Sequence, residues 1–166
     1  MKPTAITMRE ATPADAPEIM RHRRLMFHDM GFTDEAALDA MHATSEPYIL
    51  AGLKDDSYRA WLAVAADGRV MGGGGVVVHA WLTHPLNLNP QRAYVLNVYV
   101  YTEFRRQGVA RRLMEVIVEW CRDRGFPVVW LHASDEGRPL YTSMGFVSTN
   151  EMRLTLKRKQ DPGETA

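Results

Sequence analysis

The chain has 166 residues, long enough for one domain with a sizeable core. Its 20 Lys and Arg balance its 20 Asp and Glu, so charge gives no footprint for nucleic acid or for a membrane surface. A single cysteine excludes a disulfide framework within the chain, and no apolar run suffices for a signal-peptide core or a bilayer span, so a cytoplasmic location is expected.

Alternation from Ala5 to Arg9 predicts a first strand. Thr12-Pro13-Ala14-Asp15 reads as a helix start: a capping residue, a proline and an acid three residues on. The helix directs Ala16, Ile19, Met20, Phe27 and Met30 inward. Its Arg21, His22, Arg23, Arg24 and His28, as a charge run, read as a solvated face. Gly31 closes it, and Thr33-Asp34 starts a second helix toward Ser45, which Pro47 is expected to interrupt. A second strand alternates Tyr58, Ala60, Leu62 and Val64 with Arg59, Trp61 and Ala63. Asp67-Gly68 is a hairpin turn leading into a third strand, from Arg69 to His79. That strand holds Gly72 to Gly75 in succession, which fits close packing or a bulge, or else leaves room for a substrate. Residues 80–92 form a connection longer than most hairpin loops. There Trp81 and His84 could pack against a substrate or relay a proton, although a lone histidine is more often structural. No two histidines have metal-ligand spacing, and no metal is expected.

The centre of the chain is residues 94–124. A β-rich run, Tyr94 to Val100, feeds a short linker containing Arg105, Arg106, Gln107 and Gly108. An amphipathic helix follows, with Val109, Leu113, Val116, Ile117, Trp120 and Cys121 on one face; Gly125 and Pro127 stop it. The first amides of a helix have no internal partner and carry partial positive charge, so a glycine there with flanking arginines can hold an anion. An ordinary strand-to-helix turn with solvated arginines fits the spacing equally well. Neither a Gly-x-x-x-x-Gly-Lys-Ser/Thr loop nor a Gly-x-Gly-x-x-Gly turn is present. Val128 to Leu131 is a short apolar run, as in a strand buried on both faces, and completes a strand–helix–strand unit with parallel pairing. Val147 to Leu156 alternates and is expected to form the closing strands, before a polar tail.

Arg105-Arg106-Gln107-Gly108-Val109-Ala110 resembles the Arg/Gln-x-x-Gly-x-Gly/Ala signature of the GNAT superfamily of acyl-CoA-dependent N-acetyltransferases. Ser134 to Phe146, with Leu140-Tyr141 and Gly145-Phe146, resembles that family's Asn-x-x-Ala-x-x-Leu-Tyr-x-x-x-Gly-Phe segment. The resemblance implies an α/β fold: a twisted, mostly antiparallel mixed sheet with one parallel, splayed strand pair and about four flanking helices. It implies one N-acetyltransferase domain over 1–157, with 158–166 as the tail. The co-substrate would be acetyl-CoA. Its pyrophosphate would lie on Arg105 to Ala110, its pantetheine arm along Val98, Tyr99 and Val100, and Ser134 would stand where the family often has an asparagine on the CoA arm. A backbone N–H near Val100 would meet the developing oxyanion, and Tyr141 would be the catalytic acid beside the CoA sulfur.

In the family the first two helices and their connection wall the acceptor pocket, which makes His28, Trp81, His84 and Asn97 the substrate-binding candidates. Where histone-type members keep a glutamate base the chain has Tyr94, so deprotonation through ordered water is expected. The implied reaction is direct acetyl transfer from acetyl-CoA to a primary amine of a small molecule. A peptide or protein acceptor is one alternative, and a CoA-binding regulatory module without turnover is another. The implied partner is the amine acceptor, with neither nucleic acid nor membrane and with a homodimer plausible from family habit.

Overall fold

A computed structural model describes residues 6–156; the two proposed limits, the end of the domain at 157 and the tail over 158–166, lie outside the described residues. The described residues fall into two compact units divided after His132.

The first unit is a five-stranded sheet with three helices. Its strands are β1 (Ile6–Glu10), β2 (Tyr58–Ala65), β3 (Val70–Ala80), β4 (Gln91–Val100) and β5 (Val129–Leu131), adjacent in that order. β4 and β5 run parallel and every other pair is antiparallel, which is the mixed sheet with one parallel pair that the sequence predicts. The helices are α1 (Ala16–Asp29), α2 (Glu35–Asp55) and α3 (Val109–Asp123).

Local chemistry explains the helix starts. Ahead of α1, the Asp15 carboxylate accepts the Thr12 N–H at 2.8 Å and a hydrogen bond from Arg9 at 2.7 Å, and that guanidinium holds the carboxyl down at about 2. Asp34 caps α2 by accepting the Ala37 N–H at 3.1 Å. Contrary to expectation, α2 runs through Pro47 without a break. A proline removes one helical bond, and here buried Leu38 before it and buried Ile49 and Gly52 after it hold both halves on the core.

Both faces of the sheet are covered. On one face Tyr58, Ala60 and Val77 pack with Ala16, Ile19 and Met20 of α1 and Ile49 of α2. On the other, α3 buries Val109, Leu113, Met114, Ile117 and Cys121 against the strands, and Trp61 meets Trp120 edge-on at 5.8 Å. Trp61 and Ala63 of β2 are buried along with Ala60 and Leu62, since a central strand between two helical layers is apolar on both sides. Cys121 is core, and burial pushes its thiol up to about 11.

The four glycines of β3 are occupied space. An added methyl at Gly73 would stand 3.0 Å from His22 Nδ1, at Gly74 3.1 Å from Ile117, and at Gly75 inside the Tyr58 hydroxyl. They let the protein's own groups approach, which is the packing alternative. His22, read from sequence as part of a solvated face, is buried between the rings of Tyr99 and Tyr101 at 5.7 and 5.1 Å; burial holds its imidazole down at about 4.

The second unit contains α4 (Arg138–Ser143), a short helix with Pro139 in its first turn. The expected closing strands do not form: residues 144–156 have no strand pairing, and Val147, Met152, Leu154 and Leu156 are exposed. Alternation gives a segment two faces but no hydrogen-bonding partner, and none of the described strands supplies one. Among the described residues no helix is long and apolar enough to cross a membrane.

Candidate functional site

The feature that makes a site is a change of register inside β4. Gly73 pairs with Tyr99 and Gly75 with Leu96, so three steps on β4 oppose two on β3. The extra residue is a β-bulge, taken up at Asn97, whose φ of 57° lies in the left-handed region that asparagine tolerates better than most residues. Leu96 and Asn97, although consecutive, then face the same cavity. On its other edge β4 pairs with β5 only from Ala93 to Val95. From Leu96 to Val100 the strand is paired on the β3 side alone, and its other edge is open to an extended, amide-bearing ligand.

Beyond Val100 the chain turns through residues 102–104 and reaches α3 with two left-handed residues, Arg106 (φ 63°) and Gly108 (φ 80°). The first helical bond of α3 runs from Arg112 N–H to the Gly108 carbonyl at 3.1 Å, so the amides of Gly108, Val109 and Ala110 precede the helical ladder. Among the described residues beyond its chain neighbours, no atom lies within 4 Å of where a Gly108 side chain would begin. Arg106 and Gln107 are exposed beside those amides. Arg105 is turned inward. Its Nε donates to the Val100 carbonyl at 3.0 Å, and its guanidinium pairs with Asp29 at the end of α1, which raises its pKa further. It straps the loop to the strand.

On the α1/α2 side of the bulge is a cavity of about 460 Å³, within the usual range for small-molecule sites. Asn97 is buried at its inner end. Its Oδ1 accepts from Arg23 Nη1 at 2.7 Å, and its Nδ2 donates to the Tyr58 hydroxyl at 3.1 Å. Burial pushes the Tyr58 phenol up to about 12, so it stays neutral. Tyr48, Ile49, Val77, Tyr94 and Leu96 give the cavity apolar walls, and His79 also lines it.

Of the four substrate candidates read from sequence, Asn97 lines this cavity. The other three do not: His28 is exposed on α1, Trp81 packs with His79 and Arg92 outside it, and His84 folds into a tight turn, accepting the Leu86 N–H at 3.1 Å. Sequence reading missed Arg23 and Tyr58. The signal for Tyr58 lay in Gly75, whose missing side chain is where the phenol sits. Arg23 had none, being one of several neighbouring cations until the fold selects it. Among the described residues no cluster of histidine, cysteine or acid could hold a metal.

In the second unit Ser134 Oγ accepts the Gly137 N–H at 3.1 Å, a turn-forming role at the start of α4. The Tyr141 ring packs edge-on to Phe146 at 5.9 Å over Gly137, where an added methyl would stand 2.8 Å from it. Burial raises its phenol above the ordinary value.

A profile described as "Acetyltransferase (GNAT) family" matches residues 19–146. Streptothricin acetyltransferase from Streptomyces lavendulae is 30% identical over 96 residues, 56% of this chain and 47% of its own. The chain spans less than half the length of the curated relatives it matches. Among solved structures, a GCN5-related N-acetyltransferase from Ralstonia eutropha JMP134 superposes with a TM-score of 0.85 at 32% identity, covering 92% of this chain and 99% of that one. An acetyltransferase from Clostridium acetobutylicum, solved with acetyl-CoA, gives 0.81 at 22% identity over 92% and 96% of the two chains, a likeness of fold. A bulged strand with an open edge, running into a glycine-started helix inside a profile match that spans most of the sequence, leads to one assignment: the chain belongs to the acetyltransferase (GNAT) family.

Proposed function

We propose that the protein transfers an acetyl group from acetyl-CoA to a primary amine of a small molecule, by direct attack while both are bound. The observation that carries this reading is the continuous path formed by the open edge of β4, Leu96 to Val100, and the amides that begin α3. The edge suits the two amides of a pantetheine arm, and the helix start suits a pyrophosphate. Val98, Tyr99 and Val100 would pair with the arm, while Gly108, Val109 and Ala110 would offer amides, with Arg106 and Gln107 beside them. Arg105 would keep the loop in shape through Val100 and Asp29. Ser134 would stand near the arm.

The amine would approach from the cavity behind the bulge. Its lone pair attacks the thioester carbon, the C–N bond forms, and a main-chain N–H near Val100 stabilises the oxyanion. The C–S bond then breaks and the thiolate takes the Tyr141 proton, while the amine proton passes to water and a proton from water restores the phenol. Burial keeps the Tyr141 phenol protonated, so its O–H is present to meet the thiolate.

Release of free thiol from acetyl-CoA, measured across a panel of primary amines, tests the reading. Release that depends on the amine and is lost in Gly108→Glu is the expected result. Acetyl-CoA binding without release for any amine, unchanged by Tyr141→Phe, would instead make the chain a CoA-binding module.

A further inference from the structure

Arg23 is the arginine that lines the cavity. Arg9, Arg24, Arg59, Arg69, Arg105 and Arg122 each face a carboxylate within ion-pair distance. Arg23 is half-buried on the cavity wall and has no carboxylate partner among the described residues. Its Nη1 is held by the Asn97 amide oxygen, its Nε is buried without a partner, and the Phe27 ring lies 4.9 Å from the guanidinium carbon. No aspartate or glutamate lines the cavity anywhere, and its remaining polar groups are hydroxyls, one imidazole and one amide. A guanidinium stays charged in proteins, and a charge drawn partly out of water without a counterion is costly. Nη2 makes no hydrogen bond to a described residue and is the group left to offer.

We propose that the acceptor is an apolar amino acid: Arg23, steadied by Asn97, binds its carboxylate, and its side chain lies against Tyr48, Ile49, Val77, Tyr94 and Leu96. The guanidinium of Arg23 is held beside the bulge, so an acid group bound there keeps an amine only a few bonds away near the open edge of β4. The aromatic and aliphatic wall takes what remains of the molecule. The same charge repels polycations, so aminoglycosides and polyamines are excluded by the residue that selects the acid. The binding half of this inference stands alone, and only the fate of the amine rests on the acetyl-transfer reading.

The test compares L-phenylalanine with L-phenylalaninamide, 2-phenylethylamine, spermidine and kanamycin as acceptors from acetyl-CoA. In parallel, calorimetry follows L-phenylalanine binding to the CoA-loaded protein. The amide has the less basic and more available amine, so any preference for the acid reports binding. The acid should exceed the amide in kcat/KM by about 30-fold or more, the scale expected when a buried charge loses its partner. Arg23→Gln should erase that ratio and Arg23→Lys keep part of it, while both variants retain acetyl-CoA affinity as a check on folding. A wild-type preference for the amide, spermidine or kanamycin, or an unchanged ratio in Arg23→Gln, overturns the proposal. If no amine releases thiol but L-phenylalanine binds through Arg23, acetyl transfer fails and the amino-acid site stands. If amines without an acid group are acetylated and L-phenylalanine does not bind, the reverse holds; neither release nor binding overturns both.

Discussion

The two ends of the β4 bulge offer different kinds of surface. Toward Val100 and α3 the surface offered is main chain: an unpaired strand edge and the first amides of a helix, with side chains withdrawn at Gly108 and folded back at Arg105. Toward α1 and α2 the surface is made of side chains, Arg23, Asn97 and Tyr58, interlocked by hydrogen bonds and walled by apolar groups. Main-chain recognition tolerates many sequences provided the path of the chain is kept. Side-chain recognition is lost with one substitution. The first end suits a co-substrate common to a family, and the second an acceptor that differs between its members.

Substitutions should separate the two ends, and the largest effect belongs to the helix start. Gly108→Glu sets a carboxylate against the pyrophosphate, and acetyl-CoA affinity by calorimetry should fall on the order of 100-fold or more, since a unit-charge pair at 4 Å near a protein surface is worth about 4 kcal/mol. Gly108→Ala meets no steric contact and suffers only from its positive φ, a cost of about 1–2 kcal/mol, so it should lose far less affinity. Tyr141→Phe should lower kcat by about 100-fold, as for loss of a positioned acid, with acetyl-CoA affinity kept. Gly75→Ala drives a methyl into the Tyr58 hydroxyl. It should raise the acceptor KM, leave acetyl-CoA affinity alone, and cost about 1–3 kcal/mol in urea unfolding.

The smallest effect is a dependence on pH. The folded His22 imidazole titrates at about 4 because of burial, against 6.5 when free. Between those values the unfolded chain binds more protons, so stability rises with pH there and is lost as pH falls from 6.5 toward 4. Thermal unfolding at pH 7 and pH 5 should show this decline, and His22→Gln should flatten it. An equal slope in the variant would refute the assignment to His22.

The main-chain end was legible in the sequence because it depends on periodicity, a glycine and a helix start, all local. The sheet was legible for the same reason, up to β5. The alternation of Val147 to Leu156 misled, because strand pairing is a property of the partner as much as of the segment. The side-chain end was mostly hidden. Its residues come from α1, α2, β2, β3 and β4, and Arg23 is chemically identical to the neighbours from which folding separates it. His22, one position earlier, faces the core for the same reason: a helix turns each successive residue by about 100°, so a run of cations cannot share one face.

The inserted residue in β4 has a further consequence for divergence. Tyr94, Leu96 and Asn97 present side chains to the cavity, while from Leu96 onward β4 has no β5 partner on its other edge. On the proposed reading, exchanging those side chains would change which amine is welcomed and leave the hold on the thioester donor intact. On that reading a new acceptor would need only point substitutions on the cavity side, with the main-chain side left as it is.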